Sequence, residues 1–393
     1  MRTIDVAERR ARVAKRQRIA APFRTDDVAE AARSVVALHG TDPATVYLSA
    51  WARLKKPTVE QIEQALYVDR TLVRLLGMRR TMFVPPRELA PVIQASSARA
   101  IAVEQRKLLI RHLGVGSDIE DAATFLDDVA ASTVRALEVR KEAFAQELST
   151  DEPRLKTKLR MAQGKSYEAE VNITTRVLFL LSAEGKIIRG RPRGTWLSSQ
   201  YRWTTPEVWL GEHLDTMTTE EAKVELVRAW LSAFGPGTIA DLRWWTKWTA
   251  ADVKRALATL EPTEVDLGNG TIGLVLNGDD APTKPAVKPW LTFLPALDPT
   301  TMGWQQREWY LGEHGKRLFD TNGNAGPTIW ADGRVVGGWA QRKSGEVVYQ
   351  FLEDVGSEHE WRAEQEAERL TRWLGDVCVI PRFRTPLERE LSA

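Results

Sequence analysis

The sequence predicts a helix-dominated α+β protein built from three tandem helix–helix–helix–hairpin units and a C-terminal α+β extension. Three observations carry this expectation. Helical periodicity recurs in triplets, each triplet runs into a short pair of β-like segments, and the pattern breaks after about residue 289 into strand runs around a single long helix. The expected segments are 1–118, 119–208, 209–288 and 289–393.

The first segment opens with a basic helix over 5–18, carrying Arg9, Arg10, Arg12, Lys15, Arg16 and Arg18 on a weak apolar stripe. That helix reads either as a solvated face or as part of a polyanion-binding one. Core helices follow at 26–38, 43–54 and 58–68, the last capped by Thr58. Thr71–Leu76 and Arg79–Val84 then read as a hairpin turning at Gly77-Met78 and ended by Pro85-Pro86. Three helices and a hairpin make the winged-helix order. The third helix exposes Glu60, Glu63 and Asp69, which phosphates repel, so major-groove reading by this helix is not expected.

A helical connector over 87–112 leads to the second unit, with helices expected at 121–138, 140–149, 152–163 and 169–184. The 152–163 segment presents Arg154, Lys156, Lys158 and Arg160. A second hairpin pairs Lys186–Arg189 with Thr195–Trp203 around the tip Gly190-Arg191-Pro192-Arg193-Gly194. Glycine admits close backbone approach and arginine supplies charge, so Arg189, Arg191 and Arg193 suit phosphate or minor-groove contact. Arg79 and Arg80 of the first hairpin are candidates of the same kind. The third unit comprises helices at 218–234, 237–246 and 249–260 and a hairpin turning at Gly268-Asn269-Gly270, with Trp244, Trp245 and Trp248 read as core. Residues 277–289 read as a linker. The last segment has strands at Trp290–Leu297 and Val377–Ile380, turns at Asp332-Gly333 and Lys343–Gly345, and a helix over 357–374.

Composition narrows the functional classes. The chain has 393 residues, 43% of them hydrophobic, which supports sizeable cores. No run of 18 apolar residues is present, and the basic N-terminus lacks the apolar stretch of a signal peptide, so a cytoplasmic protein with no membrane partner is expected. The single cysteine, Cys378, excludes a disulfide framework and a cysteine zinc site, and reads as a buried strand residue. The five histidines show no ligand spacing, so neither metal nor cofactor is expected. Net charge is only +2, yet residues 1–120 hold 21 Lys and Arg against 13 Asp and Glu, and residues 154–202 hold 11 against 3. Basic blocks on a near-neutral chain point to a defined polyanion-binding face.

The stretch 36–54, VALHGTDPATVYLSAWARL, concentrates the candidate chemistry. His39, Gly40, Thr41 and Asp42 crowd one turn before a helix that starts at Asp42-Pro43, an N-cap acceptor followed by a residue of fixed φ. A neutral His39 can accept a proton from water, given an ordinary pKa of ~6.5. Thr41 can hold the same water through its hydroxyl. Asp42 adds negative charge only if it faces a cleft instead of capping the helix.

The chain resembles the AlkZ/YcaQ type of winged-helix DNA-binding proteins, bacterial DNA glycosylases with three tandem winged helices. The resemblance spans nearly the whole length and rests on VALHGTDPATVYLSAWARL, LVRLLGMRRTMFVPP (72–86), RGRPRGTW (189–196), LPALDPTTMGW (294–304) and GPTIWADGRVVGGW (326–339). It implies excision of alkylated purines from double-stranded DNA by a monomer, in repair or in self-resistance to alkylating agents, within the cytoplasm and at the nucleoid. The family's catalytic pair is Gln-x-Gln or Gln-x-Asp at the turn where this chain carries His39-Gly40-Thr41. That departure leaves a non-enzymatic DNA-binding protein as the alternative. Asp298, in the LPALDPTTMGW stretch, reads as a second cleft residue or a turn former, with Arg307 and Arg334 as further phosphate contacts.

Overall fold

The structure is a computed structural model and describes all residues except 162–168, Asn269 and Val287. It is a mixed, helix-dominated fold whose sheets have only two to four strands. The chain packs as two compact units. One comprises Met1–Leu72, Phe83–Arg87 and Lys223–Ala393, the other Val73–Met82 and Glu88–Ala222. The second unit therefore takes in residues 88–118 of the first expected segment, and the first unit takes in 223–288. No helix among the described residues is long and apolar enough to cross a membrane.

In the first unit, Asp5 caps the helix Val6–Arg16 by accepting the Glu8 N–H at 2.8 Å. Its arginines are not a solvated face. Arg9 and Arg12 are buried. Arg12 donates to the carbonyls of Asp279 and Ala281 at 2.8 and 2.7 Å, Arg16 to that of Gly235 at 2.9 Å, and Arg10 to that of Trp309 at 2.6 Å. The segment that supplies the Asp279 and Ala281 carbonyls has no regular structure, so its backbone acceptors need side-chain donors, and a guanidinium offers five. The expected linker is thus pinned along its first residues.

The helices Thr219–Phe234, Ile239–Thr246 and Ala250–Leu260 form within two residues of expectation, each opening at a Thr that sits one position before it. Leu242 and Trp245 are buried and Trp248 half-buried, as a core face requires. The strands Thr263–Asp266 and Ile272–Val275 pair antiparallel, and Arg2–Thr3 adds to them in parallel. Their turn at Gly268-Asn269-Gly270 includes a residue outside the described ones. A four-stranded antiparallel sheet follows, Leu291–Leu294, Thr328–Ala331, Arg334–Gln341 and Val347–Phe351, backed by the helix Ser357–Leu374.

The expected strand Val377–Ile380 does not form. Gln341 replaces a partner strand instead: its amide NH₂ donates to the Val377 carbonyl at 2.9 Å, and its carbonyl accepts the Val379 N–H at 2.7 Å. Cys378 is accordingly half-buried on a loop and not a buried strand residue.

In the second unit, the helices Arg99–Gly116, Ala122–Arg140, Ala145–Asp151 and Thr174–Ala183 enclose a core that includes Leu109, Leu126, Val129, Leu137, Val177 and Leu181. Two expectations fail here. The helix expected over 152–163 does not form in its described part: a 3₁₀ turn, Pro153–Lys156, leads into the strand Lys158–Met161, and 162–163 lie outside the described residues. Residues Ala169–Asn172 form its antiparallel partner, so the helix expected from 169 begins only at Thr174. Lys158 and Arg160 are exposed around a buried Leu159, which is the period-two alternation of a strand.

The second hairpin is longer than expected. Ile188–Pro192 pairs with Tyr201–Thr204, and the Arg193 N–H reaches the Gln200 carbonyl at 2.8 Å. The tip therefore lies over 194–199, not 190–194.

Candidate functional site

Leu38–His39 forms a two-residue strand paired antiparallel with Phe83 and Val84, His39 directly opposite Phe83. The His39 ring meets the Phe83 ring edge-on, with centroids 5.3 Å apart. Phe83 in turn packs on Trp245, Trp245 on Phe234, and Phe234 on Trp304 at 5.2 Å. A continuous aromatic row thus backs the imidazole. Val36, two residues before this strand, is fully buried and has φ +65°, a left-handed conformation that a β-branched residue rarely adopts. Such conformations persist only where the surroundings over-determine them, and they cluster at functional sites. His39 and Thr41 are half-buried around a buried Gly40.

Asp42 takes the capping role. One carboxylate oxygen accepts the Ala44 N–H at 3.1 Å and caps the helix Pro43–Arg53. The other accepts the Arg382 N–H at 2.9 Å. Both oxygens accept from backbone N–H groups, which makes Asp42 an anchor for the turn.

All eleven residues of Pro43–Arg53 are buried, and the LPALDPTTMGW stretch holds them. The Thr45 hydroxyl donates to the Ala296 carbonyl at 2.8 Å, and that of Ser49 to Asp298 at 2.6 Å. Arg53 and Asp298 form a bidentate pair at 2.8 and 2.9 Å with no solvent exposure on either side chain. Burial alone would raise the Asp298 pKa. The charge and hydrogen bonds of Arg53, with those of Ser49 and the Thr300 N–H, outweigh it and hold the carboxyl below its ordinary range. Of the two readings of Asp298, the turn former is the one the structure shows: it forms an Asx turn with the Thr300 N–H and clamps the site helix.

Arg307 and Arg334 do not stand out as phosphate contacts. Arg307 lies over the Trp244 and Phe319 rings at 5.1 and 4.7 Å, and Arg334 pairs with Glu353. The residues that sequence reasoning missed are Phe83, Arg53 and Arg382. Only Arg53 left a trace, as a cation four positions after Ser49 on an otherwise apolar helix.

The second unit carries the exposed cations. Arg79 and Arg80 have φ +56° and +59° and form the two central positions of a tight turn closed by the Thr81 N–H on the Met78 carbonyl at 3.1 Å. The hairpin therefore turns at Arg79-Arg80 and not at Gly77-Met78. This geometry normally selects Asn-Gly, and a non-glycine residue there costs about 1–2 kcal/mol. Lys156, Lys158 and Arg160 are exposed. Arg154 is held back on Glu152 at 2.7 and 2.8 Å, and that contact lowers the Glu152 pKa to about 2. On the second hairpin, Arg189 stacks over Tyr201 and Trp203, and Arg193 over Phe144 at 4.3 Å. Arg191 is exposed on the strand between them. No group of metal-binding side chains exists among the described residues.

A half-buried histidine and threonine share a turn held by strand pairing and ring packing, in a chain that also presents outward arginines. A family model described as DNA glycosylase AlkZ-like matches residues 32–373, and the chain belongs to that family. Among solved structures the fold matches DNA glycosylase AlkZ of Streptomyces sahachiroi with a TM-score of 0.74 and 20% identity, over 96% of this chain and 98% of that one. At that identity the likeness shows the fold. No curated protein matches the chain.

Proposed function

We propose that the chain excises N3- or N7-alkylated purines from double-stranded DNA, with His39 and Thr41 holding the attacking water. The observation that carries this reading is the His39-Gly40-Thr41 turn, fixed by strand pairing and ring packing, where the resemblance puts the family's catalytic pair. An N-alkylated purine already bears positive charge and leaves without a general acid. The site then has to hold a water on the far face of the sugar and stabilise an oxocarbenium-like transition state. A neutral imidazole accepts the proton of that water, and the Thr41 hydroxyl fixes its direction. Misplacement by ~1 Å costs ~100-fold in rate, which is what the aromatic row behind His39 and the clamped helix guard against.

On this reading the architecture is three tandem winged helices in the segments 1–118, 119–208 and 209–288, with 289–393 as the extension, and the protein acts as a monomer on chromosomal DNA. The Arg79-Arg80 turn, Lys156, Lys158, Arg160 and the hairpin bearing Arg189, Arg191 and Arg193 hold phosphates. Extruding a damaged base costs a few kcal/mol, and those contacts offset it.

The test is release of 7-methylguanine from methylated duplex DNA by the wild type, His39→Ala and Thr41→Ala. Loss of release in both variants, with folding and DNA binding retained, is expected. DNA binding without release from this adduct or a bulkier N7 adduct overturns the reading in favour of a non-enzymatic DNA-binding protein, which the replacement of the family's Gln-x-Gln or Gln-x-Asp pair by His-x-Thr favours.

A further inference from the structure

A pocket of about 500 Å³ opens in the first unit between the helix Ser357–Leu374 and the segments around Arg24 and Trp290. Its floor holds more positive charge than negative. Glu366 accepts from Arg24 at 2.9 Å and from Arg369 at 2.8 and 2.9 Å, so one nearly buried carboxylate faces two guanidiniums. Burial would raise the Glu366 pKa, but Arg24 and Arg369 hold it down, so the carboxylate stays ionised and offsets only one of them. The Arg24 Nε is buried and makes no hydrogen bond. Lys288 and Arg372 add two exposed cations to the wall.

The helix has sorted its charges to make this wall. It carries five glutamates and three arginines, and all three arginines line the pocket with only one of the glutamates. At the rim stands Trp361, 53% exposed, whereas the other fourteen tryptophans of the chain are buried or half-buried. An exposed indole beside a cluster of arginines offers a stacking face next to an anion site. The volume falls within the range of small-ligand pockets, roughly 300–1,000 Å³.

We infer that this pocket binds the phosphate of a nucleotide, free or within a DNA strand, with the base stacked on Trp361. The guanidinium excess on the floor takes the phosphate, Lys288 and Arg372 complete its shell, and the indole takes the base. None of these residues belongs to the His39 turn, so the site stands or falls independently of the glycosylase reading.

Calorimetric titration at low salt with dAMP, with pyrophosphate and with a short unmodified duplex tests it on the whole protein. Variants are Arg372→Gln, Lys288→Gln and Trp361→Ala, with Lys343→Gln, an exposed lysine outside the pocket's lining, as control. The exposed positions leave folding intact and spare the buried triad. For a free-nucleotide site, dAMP binding weakens about tenfold or more in the two charge variants. Trp361→Ala then weakens dAMP while sparing pyrophosphate. For a strand-bound phosphate, dAMP does not bind, and the duplex weakens in all three variants but not in Lys343→Gln. The inference is overturned if neither dAMP nor pyrophosphate binds and the duplex affinity of the three variants equals that of the control.

Discussion

The two basic blocks, residues 1–120 and 154–202, carry the same excess of eight positive charges, and the arginines of the first up to Arg53 are used largely in the opposite way to those of the second. In the first, Arg9, Arg12 and Arg53 are buried, and Arg10, Arg12 and Arg16 satisfy backbone carbonyls. In the second, Lys156, Lys158, Arg160, Arg191 and Arg193 are exposed, Arg193 over the Phe144 ring, and Arg189 lies half-buried over Tyr201 and Trp203. Charge counted along a sequence measures how many guanidiniums exist, not whether they point inward. What separates the blocks is the neighbouring backbone: an irregular segment with unpaired carbonyls draws arginine in, and a hairpin with satisfied carbonyls leaves it out.

The comparison can be broken most directly at Arg53. Arg53→Met leaves Asp298 buried without its cation, so unfolding in urea should show a loss of about 3–5 kcal/mol. A loss under ~1 kcal/mol would mean that the first block is not internally committed. Arg12→Ala removes donors to two carbonyls and should destabilise by about 2–3 kcal/mol while leaving the salt dependence of DNA binding unchanged.

The triple change Lys156→Gln, Lys158→Gln, Arg160→Gln should do the converse. The midpoint of thermal unfolding should stay within a degree or two, while the slope of log affinity against log salt shrinks by about 2–3, near ~0.9 per phosphate contact. An unchanged slope would remove these residues from the DNA face. The smallest effect belongs to Arg193→Ala, which gives up its place over Phe144 at a cost of about 0.5–1 kcal/mol in stability or DNA binding.

A pH series sharpens the contrast from another side. Asp298 has a folded-state pKa below its unfolded value, so its contribution to stability is complete above the ordinary carboxylate range, ~4, and is lost as pH falls through the depressed value. Acid unfolding should therefore move to higher pH in Asp298→Asn, whose stability lacks this term. The Lys156, Lys158, Arg160 triple variant should unfold in acid as the wild type does.

Where local signals govern, the sequence was readable. Asp42-Pro43 starts the site helix where the N-cap rule says it should, and the helices opening after Thr218, Thr238 and Thr249 were found within two residues because each has a side-chain cap and an apolar stripe. The failures come from distant partners. Lys158–Met161 reads as a helix continuation until Ala169–Asn172 pairs with it. Val377–Ile380 reads as a strand, and a glutamine 36 residues upstream takes the place of its neighbour. At the site, His39 and Thr41 stood out as residue types on a turn. The cap at Asp42 and the turn at Asp298 were legible too, but not the second claim on each, because the Arg382 amide and the Arg53 guanidinium lie 340 and 245 residues away.

That Arg382 contact sets an order of events during synthesis. A ribosome that has just released the His39 turn must add about 340 more residues before the second oxygen of Asp42 meets its donor. Closing so long a loop is slow compared with forming a helix, so the turn should be among the last parts of its unit to reach final form. A nascent chain would carry the folded bundle around Leu126 and Val177, made entirely from residues before 223, well before it carries a finished His39 turn.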